Sequence, residues 1–187
     1  MAVPGFVLKS VALGALLALG ARELSAQTQI ISLAAAAAST LTVAVQSGAV
    51  QTIPTVIDNA LNSFPSPVVI RTDWNVSPGQ TNAVELVAYF AVPAQALVGG
   101  ATLIPSSRLE GRVTTGLPAA FTAFTQNGIG GVGTAGGSLQ LFSEAIGGGN
   151  KNAFRTDNLD LRLNLVGFPT LPAGSYTGVL NIRAVTQ

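Results

Sequence analysis

Apolar and polar residues alternate with a period of two along most of the chain beyond residue 39. The clearest run is NLDLRLNLVGF (158–168), in which every second residue from Leu159 to Leu165 is leucine, and TLTVAVQ (40–46) and PVVIRTDW (67–74) repeat the pattern. This period is typical of a β-strand with one face in a core and the other in water. Shorter stretches bounded by Gly, Pro and Ser predict further strands at 83–92, 101–105, 108–115, 121–126, 138–146 and 175–185.

About eight or nine strands follow from this pattern, and no convincing helix is predicted beyond the N-terminal segment. The connections look too short for parallel crossovers, which take a dozen or more residues. The sequence therefore predicts an all-β fold, an antiparallel immunoglobulin-like β-sandwich over residues 40–187. Two pairings are expected within it: the strand at 67–74 beside that at 83–92, and a hairpin-like pair of 159–166 with 175–185.

The N-terminal segment, residues 1–26, has the pattern of a secretory signal peptide. Lys9 precedes the apolar run Ser10–Gly20, and Ala26 offers a small residue for cleavage. The run is shorter than the about 20 residues that a transmembrane helix needs, which leaves an uncleaved anchor as the alternative. Residues 27–39, with five consecutive alanines, are predicted to be an Ala-rich leader. The predicted localisation is secreted: periplasm, cell surface or extracellular, with no stable membrane span after signal removal.

Charge is scarce in this chain. Charged residues make up 9% of it and apolar residues 48%, whereas a typical soluble domain has about 25% charged residues. Removing residues 1–26, which contain Lys9, Arg22 and Glu23, leaves seven basic and seven acidic residues. A nucleic-acid partner is therefore not expected, since such proteins carry a clustered basic surface. The chain has no cysteine, so its stability must come from burial and strand pairing.

The absence of both histidine and cysteine also narrows the chemistry. Neither a Ser or Cys nucleophile paired with a histidine base nor a zinc site of His and Cys ligands is available. Asp157 and Asp160 lie close together in RTDNLD, but a glycosidase needs two carboxylates facing one cleft about 5 to 9.5 Å apart. We interpret both as solvated strand-edge residues, with a weak calcium contact through Asp157 and Asn158 as the alternative.

Two further motifs have plain structural interpretations. GIGGVG places Gly128, Gly130 and Gly133 at the G-x-G-x-x-G spacing of nucleotide-binding loops, but no helix pattern follows it. We interpret the segment as a flexible inter-strand loop. Asn75 begins an N-x-S sequon followed by Pro78, which we interpret as a turn.

Aromatic residues are scattered over the predicted strands, and most are expected to pack between two sheets. An exposed row of them, with Asn or Gln nearby, would instead favour carbohydrate stacking. The residues concerned are Trp74, Tyr89, Phe90, Phe121, Phe124, Phe142 and Tyr176.

The C-terminal stretch LPAGSYTGVLNIRA (171–184) carries a resemblance to known proteins. It resembles the ending of exported bacterial β-sandwich proteins, namely the spore coat protein U family and related chaperone-usher fimbrial subunits. The resemblance implies an immunoglobulin-like fold and assembly by strand pairing. The chain departs from it by lacking the cysteine pair of many fimbrial subunits and by the Gly-rich insert at 128–137.

Together these features predict a secreted, non-enzymatic structural or surface-assembly protein, comparable to a fimbrial or coat subunit. Its expected partner is protein, including other copies of itself through sheet edges. An extracellular module that binds a glycan or small ligand is the alternative function, and a hydrolase using carboxylates is a third. No catalytic residue, cofactor or metal site is predicted.

Overall fold

The structure is a computed structural model that describes residues 29–33, 39–77, 79 and 81–187. The predicted signal peptide lies outside the described residues. Two short 3₁₀ turns, at Pro93–Gln95 and Ser106–Arg108, are the helical elements of the described chain. The strands are β1 Gln29–Leu33, β2 Ser39–Ser47, β3 Leu61–Ser63, β4 Val68–Asn75, β5 Ala83–Tyr89, β6 Leu97–Gly99, β7 Thr102–Ile104, β8 Leu109–Val113, β9 Thr122–Ala123, β10 Ser138–Ala145, β11 Asn152–Asn164 and β12 Asn181–Thr186.

The strands form an antiparallel β-sandwich, which confirms the predicted all-β fold. The larger sheet has seven strands in the order β1-β2-β4-β11-β8-β9, with β3 also paired to β11. The smaller sheet has three strands in the order β10-β5-β12, and β6 and β7 form a separate hairpin. Within the described residues, no helix is both long enough and apolar enough to cross a lipid bilayer.

The core lies between the two sheets and follows the alternation of the sequence. Along β11 the leucines from Leu159 to Leu165 are buried, and along β4 the buried positions run from Val68 to Trp74 at every second residue. The smaller sheet contributes Val84, Leu86 and Ala88 from β5. Burying one such aliphatic side chain is worth roughly 1.5 to 3 kcal/mol before conformational entropy is subtracted.

One buried glycine allows the sheets to approach each other closely. Gly111 lies on β8 between two inward-facing apolar residues. A Cβ at this position would lie 2.9 Å from Leu139 Cδ2 and 3.0 Å from Leu159 Cδ1, which is closer than carbon atoms tolerate. The absence of a side chain at Gly111 therefore lets leucines of both sheets fill the same layer of the core.

The predicted hairpin of 159–166 with 175–185 is wrong. β11 is a central strand: β4 and then β3 pair along one of its edges, and β8 pairs along the other. No edge of β11 is left for the C-terminal segment, which pairs with β5 instead. The predicted facing of that segment is nevertheless confirmed, because Ala184 is buried and Tyr176 and Ile182 pack against the core.

The predicted pairing of the strand at 67–74 with that at 83–92 is also wrong. β4 lies in the seven-stranded sheet and β5 in the three-stranded sheet, so the connection between them crosses from one sheet to the other. Both strands have a full apolar face, and alternation alone does not say whether two such strands pair in one sheet or face each other across the core.

The aromatic residues are divided between the core and the surface. Trp74, Phe90, Phe124 and Phe142 are buried, as predicted, and Phe90 and Phe124 meet edge to face with ring centroids 5.2 Å apart. Phe121 does not follow the prediction, because it is half-buried outside the core. Arginine side chains from β8 and β11 stack on its ring from the solvent side of the larger sheet.

Close backbone packing explains the C-terminal PAG-x-Y-x-G motif. The Tyr176 ring lies where a Cβ of Gly99 would be, and its hydroxyl donates to the Pro172 carbonyl oxygen at 2.9 Å. A Cβ on Gly178 would collide with the carbonyl oxygen of Ala96. The motif therefore fastens the C-terminal segment to the β6–β7 hairpin before β12 begins.

Candidate functional site

The outer edge of β12 is the first candidate site. At the end of the β5–β12 ladder, Gln187 N–H donates to Ala83 O at 2.9 Å, and Ala83 N–H donates to Gln187 O. Residues of an antiparallel ladder alternate between facing the neighbouring strand and facing away. The N–H and C=O groups of Ile182, Ala184 and Thr186 therefore point away from β5.

These outward backbone groups meet no partner among the described residues. β12 pairs with β5 alone within the described part of the chain, and no backbone hydrogen bond is formed there by Ile182, Ala184 or Thr186. Such an edge is a template for pairing with another strand. The outer edge of β1 likewise has no neighbouring strand in the described chain.

The opposite edge of the same sheet is covered. Gln126 exchanges backbone hydrogen bonds with Ser138, and its side-chain oxygen accepts from the Gln140 N–H at 2.7 Å. Farther along β10, Leu117 N–H donates to Leu141 O at 3.1 Å. Loop residues thus bind backbone groups that β10 directs outward at Ser138, Gln140 and Leu141, whereas no described strand or loop pairs with the outer edge of β12, which is half-buried except for the buried Ala184.

The Gly-rich loop at 128–137 contains the G-x-G-x-x-G spacing but leads into a strand. The chain continues directly into β10, so no helix N-terminus meets the glycines, as the sequence predicted. The loop lies against the outward face of the smaller sheet: a Cβ on Gly130 would lie 3.1 Å from Val185 Cγ2 and would collide with the Gln187 side chain. Gly130 also has φ of 56°, a left-handed conformation that glycine adopts without strain.

The interpretation of Asp157 as a solvated strand-edge residue is wrong. Asp157 is fully buried on the core side of the central strand β11. Both of its oxygens accept from Arg155, at 2.7 and 2.8 Å, and Oδ1 also accepts from the Thr115 hydroxyl at 3.0 Å. The carboxylate is thus paired and satisfied, as a buried charge must be.

Asp160 lies on the other face of β11, where it is half-buried and bonded to Arg112 at 2.9 Å. Three positions apart on a strand, Asp157 and Asp160 point to opposite faces, so they do not line one cleft. The paired-carboxylate arrangement of a glycosidase is not formed by these two residues. Within the described chain, no group of three or more His, Cys, Asp or Glu is placed to hold a metal ion.

A second candidate site lies on the solvent-facing side of the larger sheet, where β2, β4 and β11 run side by side. Thr40, Asn75 and Asn152 form one cross-strand row, and Asp73 and Phe154 occupy the next. An open cavity of about 460 Å³ lies over this end of the sheet. We refer to these five residues as the Phe154 face.

Arg71 borders the Phe154 face. Its guanidinium binds Asp73 through bonds of 2.6 to 3.0 Å, and its central carbon lies 4.0 Å from the centroid of the Phe154 ring. The hydrogen bond to Asp73 raises the pKa of Arg71 above its ordinary value, and the nearby negative charge adds to this effect. The guanidinium therefore stays charged while it stacks on the ring.

Phe154 is not among the residues singled out from the sequence, although its position in the pattern is informative. In the β11 alternation, Leu159 and Leu161 occupy odd positions, whereas Phe154 shares the even positions with polar residues. A phenylalanine in the polar phase of an amphipathic strand is expected to face solvent, and Phe154 is 60% exposed.

No protein-family model, curated protein or solved structure gives a significant match to this chain.

Proposed function

We propose that the protein is a secreted, non-enzymatic structural subunit that associates with other copies of itself through the outer edge of β12. The observation that carries the proposal is the row of outward backbone groups at Ile182, Ala184 and Thr186, which meet no partner among the described residues. A strand added along this edge would gain main-chain hydrogen bonds, most readily at the half-exposed Ile182 and Thr186, which flank the buried Ala184.

The character of β12 supports this use of the edge. Proteins that must stay monomeric protect their edge strands by shortness, proline, charge or a covering loop. β9 has two residues and the outer edge of β10 is covered by loop residues. β12 has six residues, contains no proline and carries Arg183 as its single charged residue. The low overall charge, 9% of the chain, offers little electrostatic resistance to association.

Proline substitutions along β12 test the proposal, because proline removes one N–H at a chosen side of the strand. Thr186→Pro removes an N–H that points outward at a half-exposed position, which a sheet edge tolerates. We expect a folded protein whose self-association, measured by analytical ultracentrifugation, is at least about tenfold weaker, because the edge loses a hydrogen bond and gains a bulky ring. Ala184→Pro is the second variant; it also removes an outward N–H, but its ring would lie at a buried core position.

Val185→Pro is the matched control, since its N–H faces β5 and belongs to the internal ladder. We expect this change to destabilise the sheet itself. A folded Ala184→Pro or Thr186→Pro protein that associates as strongly as the unmodified protein would contradict the assignment of β12 as the assembly edge.

A further inference from the structure

The Phe154 face has the composition of a binding surface, and it lies in the other sheet from β12. We propose that this face binds a neutral saccharide, with one sugar ring stacked on Phe154 and its hydroxyl groups hydrogen-bonded to the Asn75 and Asn152 side chains. This inference goes beyond self-association and does not depend on it.

The position of Arg71 fixes which side of the Phe154 ring is available. In the ladder of β4 and β11, the row that contains Arg71 lies next to the row of Phe154 on one side. The Asn75–Asn152 row lies next to it on the other side. The Arg71 guanidinium covers the side of the Phe154 ring that is nearest to it, yet Phe154 is still 60% exposed. The open part of the ring therefore faces the two asparagines, where the cavity lies.

The polar groups around the cavity are available for a ligand. Within the described residues, the side chains of Thr40, Asn75 and Asn152 form no hydrogen bonds that meet ordinary geometric limits, and all three residues are exposed. An asparagine amide presents two N–H donors and a carbonyl acceptor in one plane. Neighbouring sugar hydroxyls also donate and accept, so an amide can bind two of them at once.

The charge balance favours an uncharged ligand. Arg71 is the cation next to the ring, and its guanidinium is already committed to Asp73 through three hydrogen bonds. The pair leaves no net charge to attract an anion or a cation, and the remaining polar lining is amide and hydroxyl. A saccharide matches this surface because its C–H face is apolar enough to cover an aromatic ring while its rim is polar.

The shape of the cavity suits a ligand that stacks on a surface. Its volume of about 460 Å³ is open to solvent on one side, so a bound sugar ring would cover Phe154 without being enclosed. The lining residues come from three adjacent strands paired in one sheet, so the spacing of their backbone positions is fixed before binding. The backbone therefore loses little conformational entropy when the surface binds a ligand.

The test uses the protein without residues 1–26 and a panel of neutral hexasaccharides of glucose, N-acetylglucosamine, mannose and galactose. Titrations followed by ¹H–¹⁵N NMR should show at least one saccharide shifting the side-chain amide signals of Asn75 and Asn152. Phe154→Ala should weaken that binding about tenfold, whereas Phe154→Tyr, which keeps a ring, should retain it.

Leu117→Ala is the control, because Leu117 is an equally exposed apolar residue outside the Phe154 face. It should leave saccharide binding unchanged, and so should Thr186→Pro, which lies in the other sheet. The inference is overturned if no saccharide of the panel shifts the two amides, or if Phe154→Ala, with an unchanged circular dichroism spectrum, binds as tightly as the unmodified protein. Tighter binding of a uronic-acid or sulfated hexasaccharide would overturn the neutral ligand class.

Discussion

At the residue scale, burial separates two carboxylates that are three positions apart in the sequence. Asp157 is fully buried and bonds to the Thr115 hydroxyl and to Arg155, whose side chain is 21% exposed, whereas Asp160 shares a half-exposed pair with Arg112. Removing a buried charged acceptor removes strong hydrogen bonds, and an exposed pair contributes little. The two aspartates should therefore differ sharply in their contribution to stability.

We expect Asp157→Ala to lower the free energy of unfolding by about 1.5 to 3 kcal/mol. Asp160→Ala, its matched control on the opposite face of the same strand, should lower it by about 1 kcal/mol or less. Urea unfolding of both variants, followed by tryptophan fluorescence of Trp74, measures the difference. Equal effects of the two substitutions would mean that the burial of Asp157 has been misassigned.

Gly178 is the second residue whose surroundings make a strong prediction. A Cβ there would collide with the Ala96 carbonyl oxygen, whereas a Cβ on Gly174 would meet nothing within 4 Å. Gly178→Ala should cost about 1 to 3 kcal/mol of stability through forced backbone movement. Gly174→Ala should change stability by about 0.5 kcal/mol or less. Thermal unfolding of the two variants compares them, and a tolerated Gly178→Ala would refute the close packing.

At the element scale, β11 organises the larger sheet because both of its edges and one of its faces are occupied. Leu161 lies on that buried face, while Val166, just beyond the strand, is 53% exposed. Leu161→Ala should destabilise the fold by about 2 to 5 kcal/mol, since it opens a cavity between the sheets. Val166→Ala should cost about 0.5 kcal/mol or less. Denaturant midpoints measure both, and a small effect at Leu161 would contradict the sandwich core.

The faces of the strands could be predicted from the sequence, but their neighbours could not. Alternation places Leu161 inward because side chains on a strand point to alternate sides. The same rule places Asp157 inward and Phe154 outward, and applying it to every residue of β11 would have found both. It carries no information on which strand lies beside which, so the partners of β11 and β12 depend on contacts distant in sequence.

The smallest elements also escaped prediction, for a physical reason. β3 and β6 have three residues each, too few to display a period of two. They form where a longer neighbour offers backbone groups: β3 pairs with the end of β11, and β6 pairs with β7. β1 lies within the segment predicted as an Ala-rich leader and pairs with β2 from Gln29 to Leu33.

At the scale of the whole molecule, the sandwich is asymmetric in how its edges are treated. One edge of the smaller sheet is covered by loop residues, and the other, β12, has outward backbone groups without partners in the described chain. Pairing of β12 with β12 of a second copy would close a dimer, whereas pairing with a different edge would extend into a chain of subunits. Both arrangements raise the mass with protein concentration.

Deleting residues 180–187 tests the structural role of β12 apart from its role in assembly. The deletion removes β12 and exposes the edge of β5, whose Val84, Leu86 and Ala88 belong to the core. We expect the shortened protein to bind 1-anilinonaphthalene-8-sulfonate and to aggregate, because a central strand becomes an unprotected edge. A soluble, compact product would show that the other strands hold β5 without β12.

Size-exclusion chromatography with multi-angle light scattering, performed on the protein without residues 1–26, tests the central claim most directly. The measurement covers concentrations from low to high micromolar and compares the unmodified protein with Thr186→Pro. We predict a mass above that of the monomer that rises with concentration, and a return to the monomer mass when the outward N–H of Thr186 is removed. A monomer mass for the unmodified protein at every concentration would contradict assembly through β12.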